Sequence, residues 1–351
     1  MRSVLQLTLA QRRELFVAAA QKLGYGAAVV EKDFWVCWTL RQLFTLPGAG
    51  KHLVFKGGTS LSKAWGAIRR FSEDVDVSLS REWLGFGGAQ DPERSPSKTK
   101  RKAQLEALKA ASSAKIQNAL VAGLRERFTT DLGASGWEVK PDAKDDQSLI
   151  FSYPSALGEA GESAYVRREV KVEGGARADT WPTEDRVIQP YVAEAFPEGI
   201  ADARVTVKTL AIERTFWEKA TILHVEALRA VGKAMRSRYS RHYADVAVLA
   251  DHEAGRRALL RDDLRRRVVE HKRVFFAETG DPYATAVPGS FRLLPDSARL
   301  EELERDYREM REMFFEEPPA WSALVERLRR LEDEINGKTG ARGGTGSKAE
   351  G

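Results

Sequence analysis

Residues 56–78 read KGGTSLSKAWGAIRRFSEDVDVS, and the order of residue types in this stretch predicts both a local fold and a kind of chemistry. The surrounding segment HLVFKGG is typical of a short buried strand that ends in glycines, LSKAWGAI of a short helix, and DVDVSLS of a strand with alternating faces. The sequence therefore predicts a unit made of a strand, a turn, a helix and a second strand.

Two aspartates, Asp74 and Asp76, stand at positions i and i+2 of the second predicted strand. Side chains with this spacing point to the same face, so the two carboxylates are expected to lie side by side and to repel each other. A divalent cation relieves that repulsion, and oxygen ligands suit Mg²⁺, which commonly binds through one or two carboxylates together with nucleotide phosphates. The pair therefore predicts a magnesium site.

The small residues Gly57, Gly58, Thr59 and Ser60 open the predicted helix. They would leave room for a triphosphate and offer backbone N–H groups to it. The segment lacks the glycine spacing and the Gly-Lys-Ser/Thr ending of a Walker loop. Each half has an ordinary alternative, because a D-x-D pair is common on solvated strands and Gly-Gly-Thr-Ser is more often a turn. The combination is far more specific, and it indicates phosphoryl chemistry.

The composition is that of a globular protein without membrane spans. Of the 351 residues 42% are apolar and 30% charged, and no apolar run is long enough to cross a bilayer. The first residues carry Gln, Arg and Glu where a signal peptide needs an apolar segment, so a cytoplasmic location is expected. The formal charge of +5 permits a nucleic-acid partner without demanding one. The single cysteine, Cys37, lies among aromatic residues and is expected to be buried and inert.

Three regions are predicted along the chain. Residues 1–207 are expected to form a domain of N-terminal helices and a mixed sheet, with further strands at WEVK, SLIFSYP and AYVRREVKVEGG. Residues 208–336 are expected to form a mostly helical domain that completes the site, and residues 337–351 a disordered tail. Residues 85–102, GFGGAQDPERSPSKTKRK, are interpreted as a mobile loop because they show no periodicity.

The segments KGGTSLSKAW and FSEDVDVSL together resemble the signature of the nucleotidyltransferase fold shared with DNA polymerase beta. More narrowly, the chain resembles the AbiEii/AbiGii toxin family. The blocks VVEKDFWV, ERTFWEKATILH and SRHYADVAVLA occur here in that family's order, and the resemblance covers roughly residues 25 to 250. It implies an α+β fold, with a polymerase-beta-like core and a mixed sheet followed by a mostly helical C-terminal domain.

The resemblance also implies a function. It suggests a toxin of a bacterial toxin–antitoxin or abortive-infection system that transfers nucleotides from an NTP to RNA, in studied relatives to the 3′ end of tRNA. The implied partners are the NTP, the RNA and a cognate antitoxin protein, with two Mg²⁺ ions as cofactors. Two alternatives stay open at this point, namely transfer to a protein hydroxyl by the same fold, and a non-catalytic protein that binds RNA or the antitoxin.

Three later segments supply the other candidate residues. In this fold a third carboxylate usually comes from a neighbouring strand, and Glu173 at the end of EVKVEGG is our choice, although a solvated strand face is about as good an interpretation. Lys219 matches a family lysine regarded as catalytic or as a phosphate contact, and its alternative is a structural ion pair. Arg238, Arg241 and Asp245 recur at spacings of three and four, which predicts one helical face, or alternatively a surface salt bridge.

The resulting assignment has three groups. The catalytic group is Asp74, Asp76, Lys219 and Asp245, the metal ligands are Asp74, Asp76 and Glu173, and the nucleotide-binding group is Lys56, Gly57, Gly58, Thr59, Ser60, Lys63, Arg238 and Arg241.

Overall fold

A computed structural model of the chain describes residues 1–158, 166–230 and 232–338. They belong to two compact units, of which the first contains Met1–Ala211 and Glu312–Glu316 and the second contains Ile212–Arg311 and the chain from Glu317 onward. The predicted α+β class with a mixed sheet is confirmed. The predicted boundary after residue 207 falls inside a strand, and all but two residues of the predicted tail lie outside the described part of the chain.

The first unit is built on a mixed sheet. Its seven described strands are β1 (Leu53–Lys56), β2 (Val75–Leu79), β3 (Glu138–Asp142), β4 (Asp145–Ser152), β5 (Glu169–Glu173), β6 (Thr183–Ile188) and β7 (Val205–Leu210). Their order across the sheet is β3-β4-β5-β2-β1-β7-β6. Strand β1 pairs antiparallel with β2 and parallel with β7, and β2 pairs parallel with β5. The D-x-D strand therefore lies in the middle of the sheet.

Helices accompany this sheet along the chain. They are α1 (Arg2–Leu5), α2 (Leu9–Leu23), α3 (Ala27–Phe44), α4 (Gly57–Lys63), α5 (Lys98–Ala114), α6 (Val121–Leu132) and α7 (Tyr191–Ala195), with a π-helical turn, Lys115–Leu120, between α5 and α6. A capping box formed by Thr8 and Gln11 is present at the start of α2. The predicted strands around KGGTSLSK are β1 and β2, and the helix between them is α4, which ends at Lys63 and so contains only the first three residues of the predicted segment LSKAWGAI.

Helix α3 forms the centre of the first unit's core. Thirteen of its 18 residues are buried, among them Cys37, as the sequence predicted. The Trp38 ring centroid lies 4.6 Å from that of Phe128 on α6 and 5.5 Å from that of Phe151 on β4. This aromatic cluster fixes α3 against the sheet and against α6, because large rings bury more apolar area than any other side chain.

The segment predicted as a mobile loop is partly helical. Short 3₁₀ turns occupy Gly88–Gln90 and Pro92–Arg94, and α5 begins at Lys98, inside the basic run. The Ser97 hydroxyl accepts a hydrogen bond from the backbone N–H of Lys100 and so caps this helix. The prediction was wrong here because lysine and arginine are good helix formers once a cap is present.

The second unit is helical in its described part. Its helices are α8 (Ile212–Ala227), α9 (Ser240–Asp251), α10 (Glu253–Leu259), α11 (Asp262–Phe275), α12 (Ser297–Glu309) and α13 (Trp321–Ile335). No helix in the described ranges of either unit is both long and apolar enough to cross a membrane.

Candidate active site

Strand register brings the predicted carboxylates together in the first unit. Lys56 of β1 stands opposite Asp76 of β2, and Asp76 stands beside Glu173 of β5. Residues that are paired across strands point to the same face of the sheet. The Lys56 Nζ atom lies 3.7 Å from Asp76 Oδ1, and both side chains are about a quarter exposed. Asp76 therefore lies in a row between a lysine and a glutamate.

This arrangement destabilises the ionised carboxylate of Asp74, which lies immediately before β2. Burial, followed by the neighbouring carboxylates Glu173, Glu73 and Asp76, raises the pKa of its carboxyl group to about 6, while Lys32 acts in the opposite direction. Like charges and burial both disfavour the ionised form. The protein has thus placed more negative charge around Asp74 than its own cations neutralise.

This excess of carboxylate oxygen fits a divalent cation such as Mg²⁺, which prefers hard oxygen ligands. In residues 1–158, 166–230 and 232–338, however, no three His, Cys, Asp or Glu side chains already converge as a complete metal-ligand set. Glu173 is engaged elsewhere, because its Oε1 atom lies 2.9 Å from Lys171 Nζ. Asp74 and Asp76 are therefore the better-placed pair of ligands, and Glu173 would have to leave Lys171 in order to join them.

The two glycines that open α4 serve the carboxylate site directly. Gly57 has φ +77°, and a Cβ atom there would lie 1.9 Å from Asp76 Oδ2. A Cβ atom on Gly58 would lie 2.9 Å from both Arg70 Nη2 and Ser72 Oγ. The side chains of Asp76, Arg70 and Ser72 thus approach this backbone closely, which a side chain at either glycine would prevent, and room for a triphosphate stays a prediction.

The two hydroxyl residues of the turn are also used within the protein. Thr59 Oγ1 donates a hydrogen bond of 2.5 Å to the carbonyl oxygen of Asp74 and lies 2.9 Å from Ser72 Oγ. Ser60 Oγ donates to the carbonyl oxygen of Gly57 at 2.8 Å. Both side chains are buried. Their hydroxyls thus fix the loop that carries Asp74, and a nucleotide contact from this turn stays a prediction that depends on the backbone N–H groups.

Lys63, which was predicted to bind nucleotide, lies in a buried ion pair. Its Nζ atom is 3.0 Å from Asp33 Oδ1 and 3.4 Å from Glu194 Oε1, and it stands 3.6 Å from the centroid of the Tyr191 ring. Only 4% of the side chain is exposed. These contacts are typical of a structural lysine that ties α4 to α3 and α7, and they give no support to a phosphate contact.

Helix α3 carries three consecutive charged residues, Glu31, Lys32 and Asp33, that were not among the candidates chosen from the sequence. Lys32 Nζ lies 2.5 Å from Oε2 of Glu73, the residue that precedes Asp74. Glu31 accepts hydrogen bonds from Ser155 Oγ and from the backbone N–H of Ala156. The signal was present in the sequence, because three consecutive charges in an otherwise buried helix each require a partner.

The short segment Glu312–Glu316 returns to the first unit and holds the chain just before the D-x-D strand. Arg70 and Phe314 form an isolated antiparallel bridge, and the backbone N–H of Phe71 donates to the carbonyl oxygen of Met313 at 2.6 Å. The Phe315 ring stacks on Tyr25 with a centroid distance of 4.4 Å. We call this segment the strap. It limits the movement of the loop that leads to Asp74.

Phe315→Ala is expected to loosen the strap. The substitution removes the ring contacts that seat the segment, so amide exchange at Phe71 should accelerate and nucleotide transfer should fall by about tenfold, the scale expected when a positioning contact is lost. Phe315→Tyr keeps the ring and should behave like the wild type. Unchanged exchange at Phe71 in the alanine variant would show that the strap does not hold this loop.

In the second unit, Lys219 of α8 is paired with Asp245 of α9. The Lys219 Nζ atom lies 3.0 Å from Asp245 Oδ2 and 3.4 Å from His242 Nδ1. Lys219 is 6% exposed and Asp245 is 1% exposed. The structure therefore brings together two residues of the predicted catalytic group, in a largely desolvated ion pair whose role the geometry alone leaves open.

The two predicted arginines do not share one helical face. Helix α9 begins at Ser240, whose backbone N–H and hydroxyl both donate to Asp306 Oδ2. Arg238 precedes the helix, has φ +59°, and donates its backbone N–H to the other carboxylate oxygen of Asp306. Only Arg241 and Asp245 are on α9, four residues apart. The spacing argument was wrong for Arg238 because the helix starts after it.

A family model of AbiEii, described as a nucleotidyl transferase toxin of type IV toxin–antitoxin systems, matches residues 38–327. The chain belongs to this family. Among solved structures, MenT4, a nucleotidyltransferase toxin from Mycobacterium tuberculosis H37Rv, is similar at 18% identity and a TM-score of 0.34, over 87% of this chain and 99% of that one. No curated protein is similar enough in sequence to count as a match.

The AbiEii match contains both groups of candidate residues and extends further than the sequence resemblance did. Asp74, Asp76, Lys219 and Asp245 all lie within it, and so does the strap. Helices α10 to α12, which had seemed similar only in general character, are included as well. The charged residues of α3 that contact the site, Lys32 among them, precede the matched range.

A further lysine of this AbiEii protein, Lys272 on α11, lies close to Lys219. Its Nζ atom donates to the carbonyl oxygen of Glu218 at 3.0 Å, and the Glu218 carboxylate is paired with the fully buried Arg214. Burial, together with the charges of Arg214 and Lys219, lowers the pKa of Lys272 to about 8, and Glu218 partly opposes the shift. Three cations, Arg214, Lys219 and Lys272, thus lie on or against α8.

Lys272→Met is expected to stabilise the protein at pH 7. A lysine whose pKa is lowered in the folded state costs stability below that pKa, and the cost disappears as the pH rises from about 8 to the unfolded value near 10.4. A shift of two to three units corresponds to about 3 to 4 kcal/mol. Melting temperatures from pH 7 to pH 10 should therefore converge for variant and wild type, and a variant that melts lower at pH 7 would contradict this interpretation.

Proposed function

We propose that this protein transfers nucleotides from an NTP to RNA, with the 3′ end of tRNA as the acceptor, and that Asp74 and Asp76 hold Mg²⁺ for this reaction. The observation that carries the proposal is the row formed by Lys56, Asp76 and Glu173, together with the raised pKa of Asp74. Such clustering of carboxylates costs stability, and it is commonly retained where a cation is part of the function.

In this reaction the terminal hydroxyl oxygen of the RNA forms a bond to the α-phosphorus of the NTP. The bond from that phosphorus to the bridging oxygen of the β-phosphate breaks, pyrophosphate leaves, and the hydroxyl proton passes to solvent. Bound Mg²⁺ supplies two effects, a lowered pKa of the attacking hydroxyl and neutralisation of charge on the leaving group.

The chain's own residues contribute orientation and charge. Thr59 and the strap fix the loop of Asp74, and Gly57 allows Asp76 to approach the turn. Lys56 is partly exposed and is held only loosely, at 3.7 Å, so it is available to a phosphate. Lys219 would add positive charge where negative charge develops in the transition state.

The test is incubation of the purified protein with each labelled NTP and total RNA, followed by sequencing of RNA 3′ ends. Label should appear in an RNase-sensitive product with added 3′ nucleotides, and expression in a bacterial host should slow growth for the wild type but not for Asp76→Ala. An RNase-resistant labelled protein would instead favour transfer to a protein hydroxyl. Equal toxicity of wild type and variant would favour a protein that acts by binding alone.

A further inference from the structure

A group of basic and aromatic side chains surrounds one end of β1 and β2. The His52 ring stacks on the Trp83 ring with a centroid distance of 5.0 Å and an interplanar angle of 7°, and Lys115 Nζ lies 4.6 Å from the Trp83 centroid. Lys51 and Lys208 are exposed nearby. We call these five residues the basic patch.

The lysines of the basic patch differ from most others in the first unit. Lys32, Lys63 and Lys171 each have a carboxylate partner. By contrast, within the part of the chain that the structure describes, no ion pair involves the basic-patch lysines, which are Lys51, Lys115 and Lys208. Asp185 of β6 stands opposite Lys208 in the strand register but forms no ion pair with it, so the charge of the three lysines has no ion-pair partner within the described residues.

All three lysines act on the same imidazole. The pKa of His52 is lowered by its partial burial and then by Lys51, Lys115 and Lys208, and no carboxylate opposes them. The lowered pKa of His52 agrees with the geometry, because Lys51 is its neighbour in the chain and Lys115 lies over the Trp83 ring on which His52 stacks.

Lys208 of the basic patch lies on the face of the sheet that carries the carboxylates. Phe55 of β1 pairs with Thr209 of β7, so Lys208 is the neighbour of Val54. Val54 precedes Lys56 by two residues and therefore shares its face, which is also the face of Asp76. Lys208 on β7 is two strands away from Asp76 on β2, with β1 between them, and it is displaced from Asp76 by two residues along the strand direction. These offsets correspond to about 12 Å between the two Cα atoms.

We propose that the basic patch binds the sugar–phosphate backbone of the acceptor RNA a few nucleotides from its 3′ end. This inference rests on the proposed function, which requires such an end to reach Asp76. Unpaired lysines suit a polyanion whose bound counterions are released on binding, and adjacent aromatic rings are typical of surfaces that hold single-stranded nucleic acid. An acidic protein would also be attracted to the lysines, but it would have no need of the half-buried stack of the His52 and Trp83 rings.

The test compares two triple charge reversals, each made in an Asp76→Asn background so that binding is measured without turnover. The patch variant carries Lys51→Glu, Lys115→Glu and Lys208→Glu, and the control carries Arg13→Glu, Lys140→Glu and Lys144→Glu. The control residues are exposed, in the first unit, on α2 and around the β3–β4 turn. Binding of fluorescently labelled total tRNA is followed by anisotropy from 50 to about 200 mM salt, a range over which phosphate contacts weaken strongly.

The patch variant should bind tRNA at least about tenfold more weakly at low salt, and its plot of log affinity against log salt should be shallower by about 2, because each phosphate contact of a single strand contributes about 0.7. The control should match its parent. Equal tRNA affinity and equal salt slopes in the patch variant and the control would overturn the inference. It would also be overturned if the patch variant kept its affinity for tRNA but was no longer neutralised by the antitoxin. Single substitution of the exposed Lys208 by Ala provides a milder variant if the triple one melts early.

Failure of the proposed function has a different signature. A wild-type protein that binds tRNA through the basic patch but adds no nucleotides to it would disprove the transfer reaction while supporting the surface. A wild type that transfers nucleotides to RNA, together with a patch variant that transfers them equally well, would disprove the surface alone.

Discussion

Asp76→Asn, and equally Asp74→Asn, is expected to reduce nucleotide transfer by at least about 10³-fold while the protein stays folded. Asparagine keeps the size of each side chain, so the packing of Asp76 against Gly57 survives. What disappears is the negative charge that a divalent cation requires. The measurement is incorporation of labelled nucleotide into RNA, with the melting temperature of each variant beside it.

The melting temperatures of these variants also test whether the carboxylates bind a cation. Burial and three neighbouring carboxylates raise the pKa of Asp74, so its ionised form costs folding free energy in the metal-free protein at neutral pH. Asp74→Asn should therefore melt at the same temperature as the wild type or higher in the presence of a chelator. Added Mg²⁺ should raise the melting temperature of the wild type and have less effect on the variant.

Glu184→Gln is the control. Glu184 is an exposed carboxylate on β6, an edge strand of the same sheet, and it stands opposite Thr209, so its replacement removes one negative charge without touching the carboxylate row or the basic patch. Its transfer activity and response to Mg²⁺ should be those of the wild type. Near-normal, magnesium-dependent transfer by either Asp74→Asn or Asp76→Asn would show that these carboxylates are not the metal ligands.

Local patterns made the central unit predictable from the sequence. Alternating apolar residues indicate β2, and the two glycines indicate the turn that opens α4. A capping box likewise marks the start of α2. Each of these features depends on residues close in sequence. The D-x-D spacing also indicated correctly that the two aspartates lie close enough to interact. These features are decided within a window of a few residues.

Long-range partners were not predictable in the same way. Strands β6 and β7 were not recognised, although β7 pairs with β1 at the centre of the sheet. Nothing in the residues Glu312–Glu316 indicates that they return to the first unit and pair with the loop before Asp74. Such contacts join residues that are far apart in sequence, so they depend on the fold of the whole chain. A short stretch of sequence therefore does not specify them.

Lysine roles were the least predictable part of the site. Lys56, Lys63 and Lys219 looked alike in the sequence as cations near a phosphate site. In the structure Lys56 is partly exposed and loosely held, whereas Lys63 and Lys219 are each buried 3.0 Å from an aspartate. A buried lysine is compatible with either catalysis or structure, so only a designed comparison separates these roles.

Lys219→Met is expected to lower the rate of transfer by about 10² to 10³-fold, with a much smaller loss of NTP binding. The reason is that its charge would act on phosphate oxygens mainly as negative charge builds in the transition state. The single variant also removes the ammonium group that lies 3.0 Å from Oδ2 of Asp245, a carboxylate that is 1% exposed. That defect costs about 3 to 5 kcal/mol, so a loss of activity in this variant has two possible causes.

The double variant Lys219→Met with Asp245→Leu separates the two causes. Replacing a whole buried pair by apolar side chains of similar size is often neutral or stabilising, so the melting temperature should return to that of the wild type or rise above it. If the pair is catalytic, the restored fold should still transfer nucleotides at least about 10²-fold more slowly in single-turnover experiments. If the pair is only structural, activity should return together with stability.

Lys63 and Asp33 form the matched control, since they are also a buried lysine–aspartate pair with a 3.0 Å separation. Lys63→Met with Asp33→Asn removes that charge pair, while the asparagine oxygen can still accept the hydrogen bond from the Tyr191 backbone N–H. This variant should fold and transfer nucleotides at close to the wild-type rate. If the folded Lys63→Met, Asp33→Asn variant were as slow as the Lys219→Met, Asp245→Leu variant, Lys63 would belong to the nucleotide site after all. If both double variants were fully active, Lys219 and Asp245 would not be catalytic residues.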